Sequence, residues 1–205
     1  MTLSRIFLLS PAHCGGKRAS FLLNERATFP LAQRLRSAGV TLGEAFSFLS
    51  GLYFRGKLTY ADRFARPPAG TTGVQIITTD RGLVAADTAI RVEDLRAFGT
   101  VDIRPDHPRY RTPLLRDASR LGTDVEAVLL GSVATGKYVD VLLEVIGDRL
   151  LFPTDFVGRG DMSRGALLLR AARDGRELAY EPVAGAVRRG RRAAKVPANG
   201  PGHRT

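Results

Sequence analysis

Cysteine occurs once in this 205-residue chain, at Cys14, and histidine three times, at His13, His107 and His203. A single thiol excludes an internal disulfide and a thiolate zinc cluster, and histidines so scattered form no ligand motif; no metal and no cofactor are expected. Long apolar runs are missing as well. The longest are broken by charge or glycine within about ten residues, whereas a membrane span needs roughly 20. Near the start, Arg5 precedes only four apolar residues before Ser10-Pro11, too few for a secretory leader, so a cytoplasmic protein with no membrane partner is expected.

Acidic residues are absent from position 188 onward, while Arg188, Arg189, Arg191, Arg192, Lys195 and Arg204 supply six of the eleven net positive charges. Interspersed with Gly190, Pro197, Gly200, Pro201 and Gly202, this tail offers little apolar surface to bury. The expected organisation is one α/β domain over 1–187 followed by a basic, disordered tail over 188–205. Such a tail reads either as an arm for a phosphate backbone, weakened steeply by salt, or as a solubilising extension. The remaining body is still basic by five, which favours anionic partners.

What the chain does contain, repeatedly, is an apolar run passing through glycine into a helical segment. Val125, Ala127, Val128, Leu129 and Leu130 enter Gly131-Ser132-Val133-Ala134-Thr135-Gly136-Lys137 and continue as a helix over Tyr138 to Ile146. Glycine permits close backbone approach, and the free N–H groups of a first helical turn favour an anion. The spacing matches the phosphate-loop pattern G-x-x-x-x-G-K, yet Tyr138 stands where magnesium binding requires Ser or Thr. An anion or nucleotide site is therefore expected, without triphosphate hydrolysis.

The same order recurs at Ile6 to Leu9, running into Ser10-Pro11-Ala12-His13-Cys14-Gly15-Gly16-Lys17-Arg18 and a helix from Ala19 to Arg26. A third strand, Val74 to Thr78, ends in Thr79-Asp80-Arg81-Gly82. Helices are also expected over Leu58 to Arg66, Leu114 to Leu121 and Gly165 to Arg173, with strands at Leu150 to Phe152 and Glu177 to Val183. The prolines at 105, 108 and 113 predict an irregular stretch from Arg104 to Pro113. Alternating strands and helices predict an α/β fold, a single domain with a mixed, mostly parallel sheet flanked by helices. In such sheets ligands sit at the strands' carboxyl ends, so these loops are expected to converge there.

The resulting ligand or phosphate set is Ser10, Gly15, Gly16, Lys17, Arg18, Thr78, Gly131, Ser132, Thr135, Gly136 and Lys137. Arg159 and Arg164, in Gly158 to Gly165, are forked donors suited to phosphate or a base edge. Asp161 in that cluster, and Asp80, are the candidate acid/base residues, with Asp87 third. Each has a structural alternative: Asp161 or Ser163 as a cap of the next helix, Lys17 and Arg18 as solvated residues, and Phe46, Phe48, Tyr53 and Phe54 as core rather than base-stacking aromatics.

Three segments carry a resemblance: Phe7-Leu8-Leu9-Ser10-Pro11-Ala12, Phe54-Arg55-Gly56-Lys57-Leu58-Thr59-Tyr60, and Ile76-Ile77-Thr78-Thr79-Asp80-Arg81-Gly82-Leu83-Val84-Ala85-Ala86-Asp87. Over roughly its first half the chain resembles the YaaA family of peroxide-stress, DNA-binding proteins. There a strand ends in Ser-Pro-Ala, a Phe-x-Gly segment leads to Tyr, and a strand enters Tyr-Gly-Leu-x-x-Pro-x-Asp. It is similar, too, to small domains found beside deazaguanine-modification enzymes. Here Asp80-Arg81 replaces the aromatic before Gly82, and Ala85-Ala86 lacks the proline. The resemblance implies a nucleic-acid or nucleobase connection. Nucleic acid or a nucleotide is the expected partner, and the alternative is an enzyme acting on a nucleoside, nucleotide or modified nucleobase.

Overall fold

The computed structural model describes residues 4–186; the basic tail over 188–205 lies outside them. Six strands form one sheet: β1 (Ser4–Leu9), β3 (Val74–Ile77), β4 (Leu83–Ala85), β6 (Val125–Leu130), β7 (Leu150–Pro153) and β8 (Tyr180–Pro182), in the spatial order β4-β3-β1-β6-β7-β8. The four central strands are parallel, with Leu9 opposite both Ile76 and Leu130, and the short edge strands β4 and β8 run antiparallel. This is the mixed, mostly parallel α/β sheet the sequence predicts. A separate two-residue pair joins β2 (Val40–Thr41) to β5 (Ala89–Ile90).

Strand β1 is buried on both faces, as a central parallel strand must be. Phe7 and Leu9 face one core with α1 (Lys17–Leu23), α2 (Pro30–Ser37), α3 (Leu42–Ser50), α4 (Leu52–Phe64), α5 (Val92–Phe98) and α8 (Asp161–Asp174). Ile6 and Leu8 face the other, with α6 (Pro108–Ala118) and α7 (Gly136–Ile146). Phe46, Tyr53 and Phe54 lie in the first core, and half-buried Phe48 stacks on Phe29. These aromatics are packing residues, as their structural alternative had it.

Several elements differ from expectation: α1 spans Lys17–Leu23 where the sequence predicts Ala19 to Arg26, β8 only Tyr180–Pro182 where it predicts Glu177 to Val183, and three further helices depart for reasons of packing. The stretch read as irregular contains the start of α6, with Pro108 in its first turn and Pro113 inside. Pro108 fits because a first-turn N–H has no intrahelical partner. An interior proline costs about 3 kcal/mol, and burial of Tyr110, Leu114 and Ala118 on one face outweighs it. Helices α4 and α8 begin six and four residues earlier than predicted, so that Gly56 and the expected first residue Gly165 both lie in helix interiors, which the propensity scale discourages. The two glycines meet across the closely packed α4 and α8, so their missing side chains serve the packing.

Candidate functional site

Strand β1 leads by way of α1–α4 to β3 on one side, whereas β6 and β7 lie on its other side. The connections thus diverge at the carboxyl ends of β1 and β6, where open α/β sheets form a crevice. A cavity of about 390 Å³ opens there. It is lined by His13, Cys14 and Gly15 after β1, Thr79 after β3, Phe98 at the end of α5, Arg104, and Lys137 at the start of α7. The β1, β3 and β6 loops therefore converge as the strand ends require.

A second, shallow and open hollow of about 470 Å³ is lined by Asp80, the residue after Thr79, with Arg109, Thr112 and Arg116. Oδ1 of Asp80 is buried and accepts no hydrogen bond, and the nearest charge partner is Arg81 Nε at 3.8 Å. A buried acceptor without a donor costs about 1–3 kcal/mol, so this oxygen is suited to an N–H or O–H brought by a ligand. Burial, with Asp80 as a lesser cause, pushes the Cys14 thiol up to about 12. Cys14 is thus held as a thiol, and it donates weakly to the Ala12 carbonyl.

The first turn of α7 has no side-chain cap from Thr135 and no acid within it. The Asp140 carboxylate, one turn on, folds back over Gly136. That contact places a negative charge beside the first turn. Lys137 lines the cavity, and its carbonyl accepts a hydrogen bond from Tyr110 Oη at 2.9 Å. Ser132 is half-buried and Thr135 exposed on the same loop.

Other predicted residues serve elsewhere. Gly16 precedes α1 and packs on His13, while the Lys17 ammonium lies over the Phe21 ring. Arg18 donates to the Phe48 carbonyl and lines an outer groove of about 550 Å³ with Arg55 and Met162, away from the cleft. Thr78 is fully buried; its hydroxyl donates to Gly82 O and accepts from Arg81 N, closing the turn after β3. Asp161 begins α8 with its carboxylate mostly exposed and lines neither cavity. Arg164 donates twice to the Phe156 carbonyl and stands 3.8 Å from Asp161, and Arg159 donates to Ser163 Oγ. The fourth loop thus organises the start of α8.

Ser10 leads to a residue that the sequence reading passed over. Lys57, 1% exposed, donates to Ser10 O at 2.6 Å and lies 3.0 Å from Ser10 Oγ, with its amine 4.6 Å from the centroids of both the Tyr53 and Phe54 rings. Burial pulls the Lys57 amine down to about 7, against a smaller upward pull from Asp161. Gly131 lies against Ser10, since a side chain there would meet Ser10 Cβ at 2.9 Å. Tyr53 Oη is buried with no hydrogen-bond partner. The available signal was periodicity: Lys57 shares the stripe of Tyr53, Tyr60, Ala61 and Phe64, a cation where a helix is otherwise apolar.

Among the described residues no group of His, Cys, Asp and Glu is arranged to hold a metal, and no helix is long and apolar enough to cross a membrane. No family model, curated protein or solved structure matches the chain significantly.

Proposed function

We propose that the protein binds nucleic acid, with the crevice at the strand carboxyl ends taking a phosphate- or nucleotide-type anion. One observation carries this reading: an unsatisfied acceptor, Asp80 Oδ1, lies with Arg109 and Arg116 in one hollow while the preceding residue, Thr79, lines another with Lys137 and Arg104, Arg104 and Arg116 being also paired with Asp106 and Asp117. An amino-bearing base and its phosphate present the complementary pattern of donor and negative charge. Phe98 supplies an apolar wall. The basic body, the cationic tail and the resemblance to a DNA-binding family support the same class of partner.

The test is titration calorimetry with nucleoside monophosphates, beside mobility shifts on single- and double-stranded oligonucleotides at two salt concentrations. Lys137→Ala is expected to weaken the mononucleotide while leaving most of the oligonucleotide salt dependence. Deletion of 188–205 is expected to flatten that salt dependence with little change in thermal midpoint. Binding to neither class of ligand at low salt overturns the reading.

The orphaned oxygen of Asp80 also favours a second reading, an enzyme acting on a nucleoside, nucleotide or modified nucleobase, with Asp80 as acid or base. Asp161 takes no part in it. Turnover of a bound nucleoside or base that is lost in Asp80→Asn, with binding retained, distinguishes this reading from binding alone.

A further inference from the structure

We propose that the outer groove between α1, α3, α4 and α8 is a track for single-stranded nucleic acid, in which Arg18 and Arg55 hold phosphates while Phe21 and Met162 meet bases. This rests on the nucleic-acid reading above and adds a contact surface outside the crevice.

The groove, of about 550 Å³, is lined by Arg18 of α1, Phe48 and Ser50 of α3, Leu52 and Arg55 of α4, and Met162 of α8. Its wall carries charge of one sign, since Arg18 and Arg55 line it and no acid does. Several exposed arginines elsewhere face a carboxylate, as Arg34 faces Glu44, Arg66 Glu177 and Arg111 Glu144. The Arg55 guanidinium, by contrast, has no partner among the described residues. Arg18 donates to the neutral Phe48 carbonyl at 3.3 Å, which leaves its charge uncancelled and the rest of its fork available to an anion. Asp161, which precedes Met162 in the chain, stands 3.8 Å from Arg164.

The apolar part of the groove is exposed where apolar side chains are usually covered. Among the described residues, Phe21 and Met162 are the large apolar side chains left in solvent, at 50% and 67% exposure. Met162 lines the groove, and Phe21 follows Arg18 by one turn on the same side of α1. Apolar groups set beside uncompensated cations are the pattern of a strand binder: the charges take phosphates, and unpaired bases lay their π faces on the apolar side chains. A duplex keeps its bases stacked on one another and leaves that part of the surface unused. A peptide would bring N–H groups in need of acceptors, and the Phe48 carbonyl is already engaged by Arg18. The chain's own tail, basic and without an acid from position 188 onward, is repelled by both arginines.

The test is fluorescence anisotropy of a labelled oligothymidylate of about 12 nucleotides, titrated with the full-length protein between about 50 and 200 mM salt. The double variant Arg18→Ala/Arg55→Ala is expected to lower the slope of log affinity against log salt by about 1.4, because each phosphate contact on a single strand contributes about 0.7. Phe21→Ala/Met162→Ala is expected to weaken binding at least about fivefold with the slope unchanged. Both variants are expected to bind a nucleoside monophosphate as the wild type does. The same oligonucleotide carrying one 5-iodouracil is expected to cross-link to the wild-type protein in α1 or at the start of α8, as mapped by peptide mass spectrometry. Wild type that binds the mononucleotide but not the oligonucleotide, double variants with wild-type affinity and slope, or cross-links confined to other elements each overturn the groove and leave the crevice reading standing. Binding of neither ligand overturns both. A short peptide alternating glutamate and leucine that binds more tightly than the oligonucleotide, and is lost in Arg18→Ala/Arg55→Ala, assigns the groove to an acidic protein segment and overturns the nucleic-acid track.

Discussion

Gly56 of α4 and Gly165 of α8 face one another so closely that a Cβ on Gly56 would stand 2.7 Å from the Gly165 carbonyl oxygen. The reverse holds too, since a Cβ on Gly165 would lie 2.8 Å from Tyr53 Cα. Both obstacles are backbone, so neither can rotate away. Gly56→Ala gains helix propensity in principle, yet it is expected to lose about 1–3 kcal/mol through overpacking. Urea unfolding measures this, and an unchanged or raised midpoint contradicts the close seam.

Thr78→Val tests the turn that carries Asp80 to its cavity. Valine matches the shape of threonine but removes the donor to Gly82 O and the acceptor for Arg81 N, both buried or nearly so. A loss of about 1–3 kcal/mol is expected for the stranded N–H. Mononucleotide affinity is expected to fall as well, because the turn positions Asp80.

Lys57 predicts a pH dependence with a definite sign. Its folded value of about 7 lies below the ordinary 10.5, so between those limits the unfolded chain binds the extra proton. Stability from this group therefore rises with pH across that window, is fully penalised below it, and levels off above. Lys57→Met is expected to flatten the rise measured by urea midpoints between about pH 7 and 9.5. A wild type and variant with parallel profiles show that the amine is not buried.

At the opposite end of the strands, Arg5 binds Glu126 at 2.5 Å and Glu177 at 2.7 Å, while Arg66 holds Glu177 at 3.0 Å. Burial alone would raise Glu177, but hydrogen bonds and charge from Arg66 and Arg5 hold it below the ordinary 4.5. Its contribution is therefore present above that value and lost as pH falls through the lower folded one. Glu177→Gln is expected to be less stable than wild type at neutral pH, with the difference shrinking as pH falls below the ordinary 4.5. A constant difference points to packing rather than charge.

Where the fold was legible, the reason is local pattern. Ile6 to Leu9 and Val125 to Leu130 are uninterrupted apolar runs because parallel strands covered on both faces need them, and the glycines after them mark the turns. Pro113 misled because the burial of Tyr110 and Leu114 that outweighs it is set by distant partners on α7 and the sheet. The convergence of Gly15, Thr79 and Lys137 followed from the parallel arrangement alone. By contrast, the Ser10 to Lys57 contact spans 47 positions and depends on how α4 lies over β1, which no local spacing encodes. Arg18, Arg159 and Arg164 show the converse: forked donors near glycine meet local carbonyls and a hydroxyl as readily as a ligand.

The two edge strands set how this protein can meet others. β4 and β8 are only three residues long, and β8 ends in Pro182, which has no N–H to offer. Short edges carrying proline resist the addition of a foreign strand. Among the described residues, the sheet therefore offers another chain no long ladder to extend by backbone pairing.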